Sequence, residues 1–547
     1  MTYALPIPAP ALVVAAKAAV RTVTAKLWVD WDGDGVFTDE SAYVTEMRGI
    51  EAADTQTRYL SASEVVIELD NSTGRYGADN QSSPIYAYLT RTGQKAYVEL
   101  GYNGVVARIG TYWIEKLDTA TTRKEATMRL LDRVGQLGDV RISLAPDANK
   151  LTSAVFVSMC AAAGLAASEY GYDTGTRTVA YVVAGAERAI GELMQLAQAE
   201  GGRIFVDGNG VLQFWNAEHH VAALRTPLIT LTRSAHVYDI AYPRRNEDTI
   251  TRFVLEYDTR ESVAVDEIVY DQKQNIVLAA PGLDAAGKVI FAAPLTLELR
   301  AMDMTRWERY LPVQFTTVNT LTAKAGSDGS GATLANVAAA PPRNGTVSPG
   351  SNLYYTWTAS GPTGVLKLWT DSVTGAAVTV LRLNGKPQRS VAPYSVVADD
   401  PTADPARAPV EQKMTNAYLP STDVAAEQAA TELFFRSGQL ATVNLPDIDG
   451  MPFLRAFDCL AIDDDSQSPT VRYFLQVLRN EWRVSESDGY RCALTTAPAL
   501  PTNEQVVSQV IPTPSPGAPV TGGNQVPPWY WGPTASQVLV WTYSDWG

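Results

Sequence analysis

The stretch Glu64-Val65-Val66-Ile67-Glu68-Leu69 has the short alternating pattern of a strand with one buried face. Lys26-Leu27-Trp28-Val29 and Ala96-Tyr97-Val98-Glu99-Leu100 share this pattern, and turn residues separate the three stretches. Several short strands at such spacing are typical of an antiparallel barrel or sandwich. Residues 24–145 are therefore predicted to form a first β-barrel.

The pattern changes to helix and hairpin signals after residue 146. One helix is predicted between Ser153, a candidate N-cap, and Gly164, and a second helix before Gly201-Gly202. A hairpin follows from residue 203 to residue 215 around a Gly-Asn-Gly tip. These signals predict a small α/β domain between β-rich segments.

The predicted fold class is mainly β with an α/β insert, in a multidomain chain of antiparallel β-barrels, a small α/β domain and a β-rich insertion. The predicted units are an N-terminal arm (1–23), the first β-barrel (24–145), the α/β domain (146–225), β segments that complete the first barrel or open a second one (226–315), the β-rich insertion (316–395), a helix with the closing strands of the last barrel (396–497), and a Pro-rich linker with an aromatic C-terminal tail (498–547).

Composition excludes several classes of protein. With 44 Lys plus Arg against 59 Asp plus Glu, the 547-residue chain has a net charge of −15, which repels nucleic-acid phosphates. No uninterrupted apolar run approaches the roughly 18 residues of a membrane helix. We expect neither sequence-specific nucleic-acid binding nor a membrane span.

The three cysteines, Cys160, Cys459 and Cys492, lie far apart without a C-x-x-C pair. This spacing supports neither a disulfide framework nor a structural zinc site, and it favours folding in a reducing cytoplasm. The first twenty residues carry no positively charged segment ahead of their apolar stretch and contain Pro6, Pro8 and Pro10. They are interpreted as an extended arm and not as a signal peptide.

Sequence motifs for catalysis are missing, so the chain is not expected to be an enzyme. It contains three histidines, His219, His220 and His236, and no G-x-S-x-G or H-E-x-x-H motif. His219-His220 is predicted to lie in a loop beyond the hairpin. Glycoside hydrolysis cannot be read from carboxylate pairs when 59 acidic residues are present.

The stretch Asp30-Trp31-Asp32-Gly33-Asp34-Gly35 is the sharpest local motif. Carboxylates at alternate positions and a glycine at the sixth position resemble the start of a calcium loop, which Asp39 or Glu40 could complete. The twelfth position is Ser41 instead of a bidentate glutamate, and the motif follows a strand. The candidate calcium ligands are therefore Asp30, Asp32, Asp34 and Asp39. An acidic β-turn without a metal is the alternative. No other cofactor is expected.

A second acidic run, Asp463-Asp464-Asp465, is interpreted as a solvated turn between strands, with metal or partner binding as the alternative. The C-terminal aromatic residues follow a Pro-rich stretch, and aromatic side chains on a tether are typical of anchors that dock into a partner. Packing on the chain itself and stacking on sugars remain alternatives. The docking candidates are Trp529, Tyr530, Trp531, Trp541, Tyr543 and Trp546.

Several motifs, in their order along the chain, resemble the baseplate-hub or tail-tip hub proteins of long-tailed bacteriophages, often called minor tail proteins. The resemblance spans roughly residues 26–497. Gly77 and Ala78 depart from the family pattern, which has serine and proline there. The similar stretches are Val29–Phe37, Ile67–Tyr76 with Ser83–Tyr86, Leu130–Leu137, Ala199–Gly210, Leu381–Pro387 and the helix from Ala425 to Phe434.

The resemblance implies a structural virion protein at the tail tip, folded in the host cytoplasm and assembled as a homotrimeric ring that ends the tail tube. Its implied partners are the distal tail protein, the tape-measure protein, and tail fibre or spike proteins. A receptor- or carbohydrate-binding tail-tip protein is the alternative, and a cell-wall hydrolase is a third.

Overall fold

The computed structural model describes residues 10–498, except for 19, 54–58, 90, 92, 121–123, 238–239, 241–249, 263–266, 273–274, 301–309, 338–339, 361–362, 401–402, 404–405, 437–442, 467–470 and 488. The aromatic residues from Trp529 to Trp546 thus lie outside the described residues. Within the described ranges, no helix is both long enough and apolar enough to cross a membrane.

The N-terminal segment contains a helix, α1 (Pro10–Ala16), where the sequence predicted an extended arm. Leu12, Ala15 and Ala16 lie on one face of α1 and are buried. Pro10 occupies the first helical position, where its missing N–H costs nothing. Burial of this apolar face on the following β-strands stabilises a helix that would be too short on its own.

Seven strands follow, and their buried and exposed residues alternate as the sequence predicted. In β4, Val65, Ile67 and Leu69 are fully buried. The strands are β1 (Val23–Asp30), β2 (Thr38–Asp39), β3 (Val44–Ala53), β4 (Ser61–Asp70), β5 (Lys95–Tyr102), β6 (Val105–Ala120) and β7 (Glu125–Leu131). They pair antiparallel in the order β2-β1-β5-β6-β7-β4-β3.

The α/β part contains the two predicted helices and the predicted hairpin. It comprises α2 (Arg133–Gln136), β8 (Arg141–Leu151), α3 (Thr152–Ala162), β9 (Tyr170–Tyr172), β10 (Thr178–Arg188), α4 (Ala189–Glu200), β11 (Arg203–Val206), β12 (Leu212–Trp215) and α5 (Ala217–Arg225). Helix α3 begins one residue before the predicted cap, Ser153, at Thr152, whose hydroxyl donates to Glu200 at 2.7 Å. Gly201 ends α4 with a φ of 72°, a conformation that favours glycine.

The segments after residue 226 go to two different sheets, whereas the sequence left open which of two barrels they join. The first, β13 (Ile229–Thr232), precedes the short helix α6 (Arg233–His236) and pairs with a strand near the C-terminus. The next strand, β14 (Arg252–Ser262), belongs instead to a separate six-stranded sheet.

Two sheets and a small hairpin make up the middle of the chain. Their further strands are β15 (Glu267–Asp271), β16 (Ile276–Leu278), β17 (Gly282–Leu283), β18 (Val289–Ile290), β19 (Leu295–Arg300), β20 (Tyr310–Ala325), β21 (Ala335–Val337), β22 (Asn352–Ser360), β23 (Thr363–Thr370), β24 (Ala376–Asp399) and β25 (Glu411–Asn416). The long strand β24 pairs with β14, β15, β16 and β20. The β-rich insertion therefore shares its sheets with strands that begin at residue 252.

The C-terminal elements join the N-terminal strands in one sheet of twelve strands. They are β26 (Val443–Asp449), β27 (Cys459–Asp464), β28 (Val471–Ser485) and β29 (Gly489–Pro498), and the helix α7 (Thr422–Arg436) before them packs on β14 and β24. Strand β28 pairs with β3, and Trp482 lies directly opposite Gly49. One hydrophobic core, with Leu27, Ile67, Leu460 and Val477 among its members, runs through both groups of strands.

The two separate barrels that the sequence predicted are therefore replaced by one continuous sheet. Among the described strands no closed barrel is found, because β3 pairs with β28 and β4 instead of turning back to β1. A bridge between Val237 and Ile448 connects the segment after α6 to β26 on the C-terminal side. The fold class itself, mainly β with an α/β insert over several sheets, is confirmed.

Candidate functional site

Glu40 stands at the centre of a buried cluster that joins two of the motifs singled out in the sequence. Its side chain is fully buried. One carboxylate oxygen, Oε1, accepts from Trp31 Nε1 at 2.8 Å and from Arg75 Nη2 at 2.5 Å. The other, Oε2, accepts from Arg75 Nε at 2.9 Å and from the Tyr76 hydroxyl at 2.7 Å. Four donors thus satisfy a carboxylate that water does not reach.

The loop that supplies Arg75 and Tyr76 is folded by its own hydrogen bonds. Asn71 Oδ1 accepts from the Tyr76 amide at 2.9 Å, and Asn80 Nδ2 donates to the Gly74 carbonyl at 3.0 Å. Gly74 has a φ of 72°, which a residue with a Cβ rarely adopts. Backbone turns at three-residue spacing continue through the loop to Ser83. The Asn-x-x-Gly-Arg-Tyr spacing is therefore what aims both side chains at Glu40.

Electrostatics bind this cluster together. The hydrogen bond to Glu40 raises the pKa of Arg75, and the guanidinium also lies over the Tyr43 ring at 5.0 Å. Burial raises the pKa of Tyr76 well above its usual value, and the negative charge of Glu40 raises it further. Arg75 is therefore charged and Tyr76 is protonated across the physiological range. The cluster therefore holds the two loops in position.

The acidic loop lies directly beside this cluster. One ligand atom from each of Asp30, Asp32 and Asp34 lies within 4.8 Å of the other two, with Asp30 buried and the others exposed. Asp30 also accepts from the amides of Gly33 at 2.8 Å and Gly35 at 3.1 Å. Each carboxylate oxygen keeps a second lone pair for a cation. Three such groups fit part of the six to eight oxygen ligands that calcium takes.

Asp39 does not join these three carboxylates. It lies on β2 opposite Trp28, and its Oδ1 accepts from the Ser41 amide at 2.9 Å. The bond to the Ser41 side chain is the main reason why the pKa of Asp39 is lowered. Glu40, the other residue considered for completing the loop, is committed to Arg75 and Tyr76. Residues 39–41 thus pack at the edge of β1, and calcium ligation by Asp39 stays a prediction.

A second buried cluster of charges, which no sequence motif predicts, lies where three parts of the chain meet. Glu51 on β3 lies 3.7 Å from Arg455, and the Arg455 amide donates to Asp458 at 2.8 Å. Burial raises the pKa of Glu51 to about 7 and that of Asp458 to about 6. Glu51 is distant in sequence from both Arg455 and Asp458, so only the tertiary fold brings it to them.

Arg203 on β11 faces the same junction. Its guanidinium lies 3.8 Å from the centre of the Trp215 ring, and its Nε and Nη1 have no hydrogen-bond partner among the described residues. Burial lowers the pKa of Arg203 to about 10, although the charges of Asp458 and Glu51 oppose this. The junction therefore combines two arginines with carboxyl groups of raised pKa, away from solvent.

The histidine pair lies in helix α5, so the predicted loop is wrong for these residues. Asn216 caps α5 by accepting from the His219 amide, and this cap starts the helix directly after β12. The His219 ring stacks on Trp215 at 3.6 Å, and its Nδ1 lies 2.8 Å from Asp173. Burial lowers the pKa of His220 to about 3. Both side chains have packing roles that account for their positions.

The acidic run Asp463-Asp464-Asp465 is paired and only partly solvated. Asp463 binds Arg472 through two oxygens at 2.5 and 2.9 Å, and Arg233 lies 3.0 Å from the buried Asp464. The amide of Ser234 donates to Asp465 at 3.1 Å. The run therefore ties β27 to α6, and the predicted solvated turn is wrong for Asp464.

The chain was compared with protein families, curated proteins and solved structures. No protein-family model matches the chain, and no curated protein matches its sequence. The 43 kDa tail protein of prophage MuSo2 from Shewanella oneidensis is similar at a TM-score of 0.45 and 10% identity, over 87% of this chain and 98% of that chain. The tail protein from Neisseria meningitidis MC58 is similar at a TM-score of 0.44 and 8% identity, over 87% and 96%. Prophage tail protein gp18 from Listeria monocytogenes EGD-e is similar at a TM-score of 0.39 and 7% identity, over 86% of this chain and 94% of that chain. All three are tail proteins.

Proposed function

We propose that this chain is a structural protein of a phage tail, the hub of the tail tip or baseplate. In this role it closes the tail tube as a homotrimer and anchors the distal tail, tape-measure, and fibre or spike proteins. The observation that carries the proposal is the Glu40 cluster. The two stretches that most resemble hub proteins, Val29–Phe37 and Ile67–Tyr76, are parts of one hydrogen-bonded unit and not scattered matches.

The continuous sheet supports a mechanical role. Pairing of β3 with β28 joins the first and last β-rich parts of the chain through backbone hydrogen bonds and a shared core. Such a joint resists relative movement better than a flexible linker between domains does. A protein that transmits force along a tail requires this stiffness more than it requires a catalytic cleft.

The charge supports passage of DNA without adhesion. A net charge of −15 repels the phosphate backbone, and we propose that the acidic surface faces the lumen of the ring. A lumen that is neutral or basic in a structure of the assembled ring contradicts this part of the proposal.

The aromatic C-terminal residues, Trp529, Tyr530, Trp531, Trp541, Tyr543 and Trp546, are proposed to dock into a neighbouring tail protein. Ending the chain after Pro528 tests this role, because assembly with the neighbour is then lost while the chain still folds. Unchanged assembly contradicts it.

Antibody labelling of virions tests the hub proposal at the level of location. Gold-labelled antibodies against the purified full chain are expected to decorate one end of the tail, opposite the capsid. The proposal is overturned if the label lies along the tube or on the capsid. It is also overturned if the particles carry no label although a control antibody binds their tail tips.

A further inference from the structure

A platform of aromatic and cationic side chains lies on the outer face of the twelve-stranded sheet. Trp28 stacks on Tyr97 at 5.8 Å with 19° between the rings, and Phe37 meets the Tyr97 ring at 4.8 Å. Arg108 lies 3.7 Å from the centre of the Tyr97 ring, and Lys26 lies 5.9 Å from that of Trp28. We call these five residues the aromatic platform.

The aromatic platform is open to solvent in the described part of the chain. Arg108 is exposed, and the other four side chains are half-buried. Neither Lys26 nor Arg108 forms an ion pair with a described residue. Two carboxylates lie nearby: Glu99 accepts from Trp28 Nε1 at 3.2 Å, and Asp39 is close enough to sense the charge of Lys26. The platform thus offers ring faces and two cations to an occupant.

The platform also lies beside an open strand edge. Leu27 directs its carbonyl to the Glu40 amide at 2.9 Å and its amide to Ser41 Oγ at 3.0 Å. The backbone amides and carbonyls of alternate residues in a strand face the same edge. Those of Ala25 and Val23 therefore face the same edge as those of Leu27. The register of β2 covers only Trp28 and Val29 among the described residues. None of the described strands pairs with Val23 or Ala25 on that side, and strand edges of this kind can accept an extended peptide.

The chain carries a segment whose chemistry matches this surface. Residues 529–547 contain four of the twelve tryptophans, and Val538–Tyr543 is rich in the β-branched and aromatic residues that favour strands. Residues 499–547 contain two acidic residues, Glu504 and Asp545, and they contain neither Lys nor Arg. The segment therefore has no positive side chain that would repel Lys26 and Arg108. Tryptophan is the ring that binds cations best.

The linker is long enough to reach. Gly489, at the start of β29, lies beside Val23, the first residue of β1. Pro498 ends the same strand, about 30 Å away at the rise of a β-strand. The thirty residues from Ala499 to Pro528 span up to about 90 Å as an extended Pro-rich chain. Tethering gives the segment an effective concentration on the order of millimolar at its own platform.

We propose that the aromatic segment 529–547 docks on the aromatic platform of its own chain, stacking its rings beside Trp28, Tyr97 and Arg108. This contact shields the tryptophans of the unassembled chain from water. It goes beyond the hub role and does not depend on it, because it concerns the free chain.

Photo-crosslinking of the full chain tests the contact. The photoreactive residue p-benzoylphenylalanine replaces Phe37 on the platform, and the matched control replaces the exposed Lys116 on strand β6, which also carries Arg108. After irradiation, position 37 is expected to yield crosslinks to peptides within 529–547 in a product of single-chain mass. Position 116 is expected to yield at least about tenfold less.

Charge reversal sharpens the test. In the chain labelled at position 37, Arg108→Glu is expected to lower the crosslink yield about fivefold through loss of the cation over the rings, whereas Lys116→Glu leaves it unchanged. Equal thermal midpoints of the two variants show that both are folded. The proposal is overturned by crosslinks that miss 529–547, by equal yields from both positions, or by a product of two-chain mass, which assigns the platform to a second copy.

Discussion

The carboxylate of Glu40 binds the guanidinium of Arg75 through two hydrogen bonds, with both side chains largely withdrawn from water. The two residues are 35 positions apart and belong to different loops, so this pair fixes how the loops meet. A two-point pair between planar groups also fixes their relative orientation.

Glu40→Ala is expected to lower the free energy of unfolding by about 3 kcal/mol or more, because it leaves Arg75 and the Tyr76 hydroxyl without their acceptor. Urea denaturation followed by circular dichroism measures the change. Glu64→Gln is the matched control, since Glu64 binds Arg129 at an exposed site and such pairs contribute about 1 kcal/mol at most. Equal losses in the two variants contradict the central position of Glu40.

Gly49→Ala is expected to weaken the joint between β3 and β28. A Cβ at position 49 would lie 2.3 Å from the Trp482 ring, so the indole must move, at a cost of about 1–3 kcal/mol. Thermal unfolding measures the loss, and Trp482→Leu in the same chain is expected to recover part of it. Gly191→Ala, in helix α4 with open space around it, should instead stabilise by up to about 1 kcal/mol. A tolerated Gly49→Ala argues against this packing.

Stability is expected to fall as the pH rises from about 5.5 to 8. The pKa of buried Glu51 is raised to about 7, so the folded chain keeps a proton that the unfolded chain loses near pH 4.5. The folded state therefore binds more protons in this window, and the free energy of unfolding decreases with pH. His220, with its pKa lowered to about 3, opposes this trend below pH 6.5.

Glu51→Gln isolates the contribution of that carboxyl group. This variant is expected to lose about 2 kcal/mol of the stability difference between pH 5.5 and pH 8. Glu64→Gln is the control, because the pKa of Glu64 is lowered and the group titrates below this window. An unchanged pH dependence in Glu51→Gln shows that Glu51 is ionised throughout and paired with Arg455.

Calcium is expected to raise the thermal midpoint of the chain by binding Asp30, Asp32 and Asp34, and magnesium is expected to do so less. Calorimetric titration measures the binding directly, and Asp30→Asn should abolish it. Asp39→Asn should leave it intact, since Asp39 lies apart from the three carboxylates. If millimolar calcium produces no heat of binding, the loop is an acidic turn and not a calcium site.

The sequence predicts local elements well because local rules determine them. Alternation predicts β4, and the helical face before Gly201 predicts α4. The three aspartates of the calcium-like motif lie close together, but nothing in the motif indicates that Glu40 binds Arg75. That pairing depends on the turns after Asn71, which position Arg75 only once the loop is folded.

Long-range pairing is what the sequence could not predict. Each strand of a mainly antiparallel protein fits several partners, so nothing local shows that β28 pairs with β3 and so joins two expected barrels. The junction of Glu51, Arg203, Arg455 and Asp458 is equally hidden, because isolated charges far apart in sequence give no sign of burial. The loop predicted for His219 is wrong because Asn216 caps a helix there.

The measurement that tests the hub proposal most directly is the light-scattering mass of the purified full chain, with negative-stain images of the same fractions. The account predicts a mass three times that of the 59.1 kDa chain and threefold rings with a central opening. A mass of one chain at every concentration, with compact particles and no ring, contradicts it.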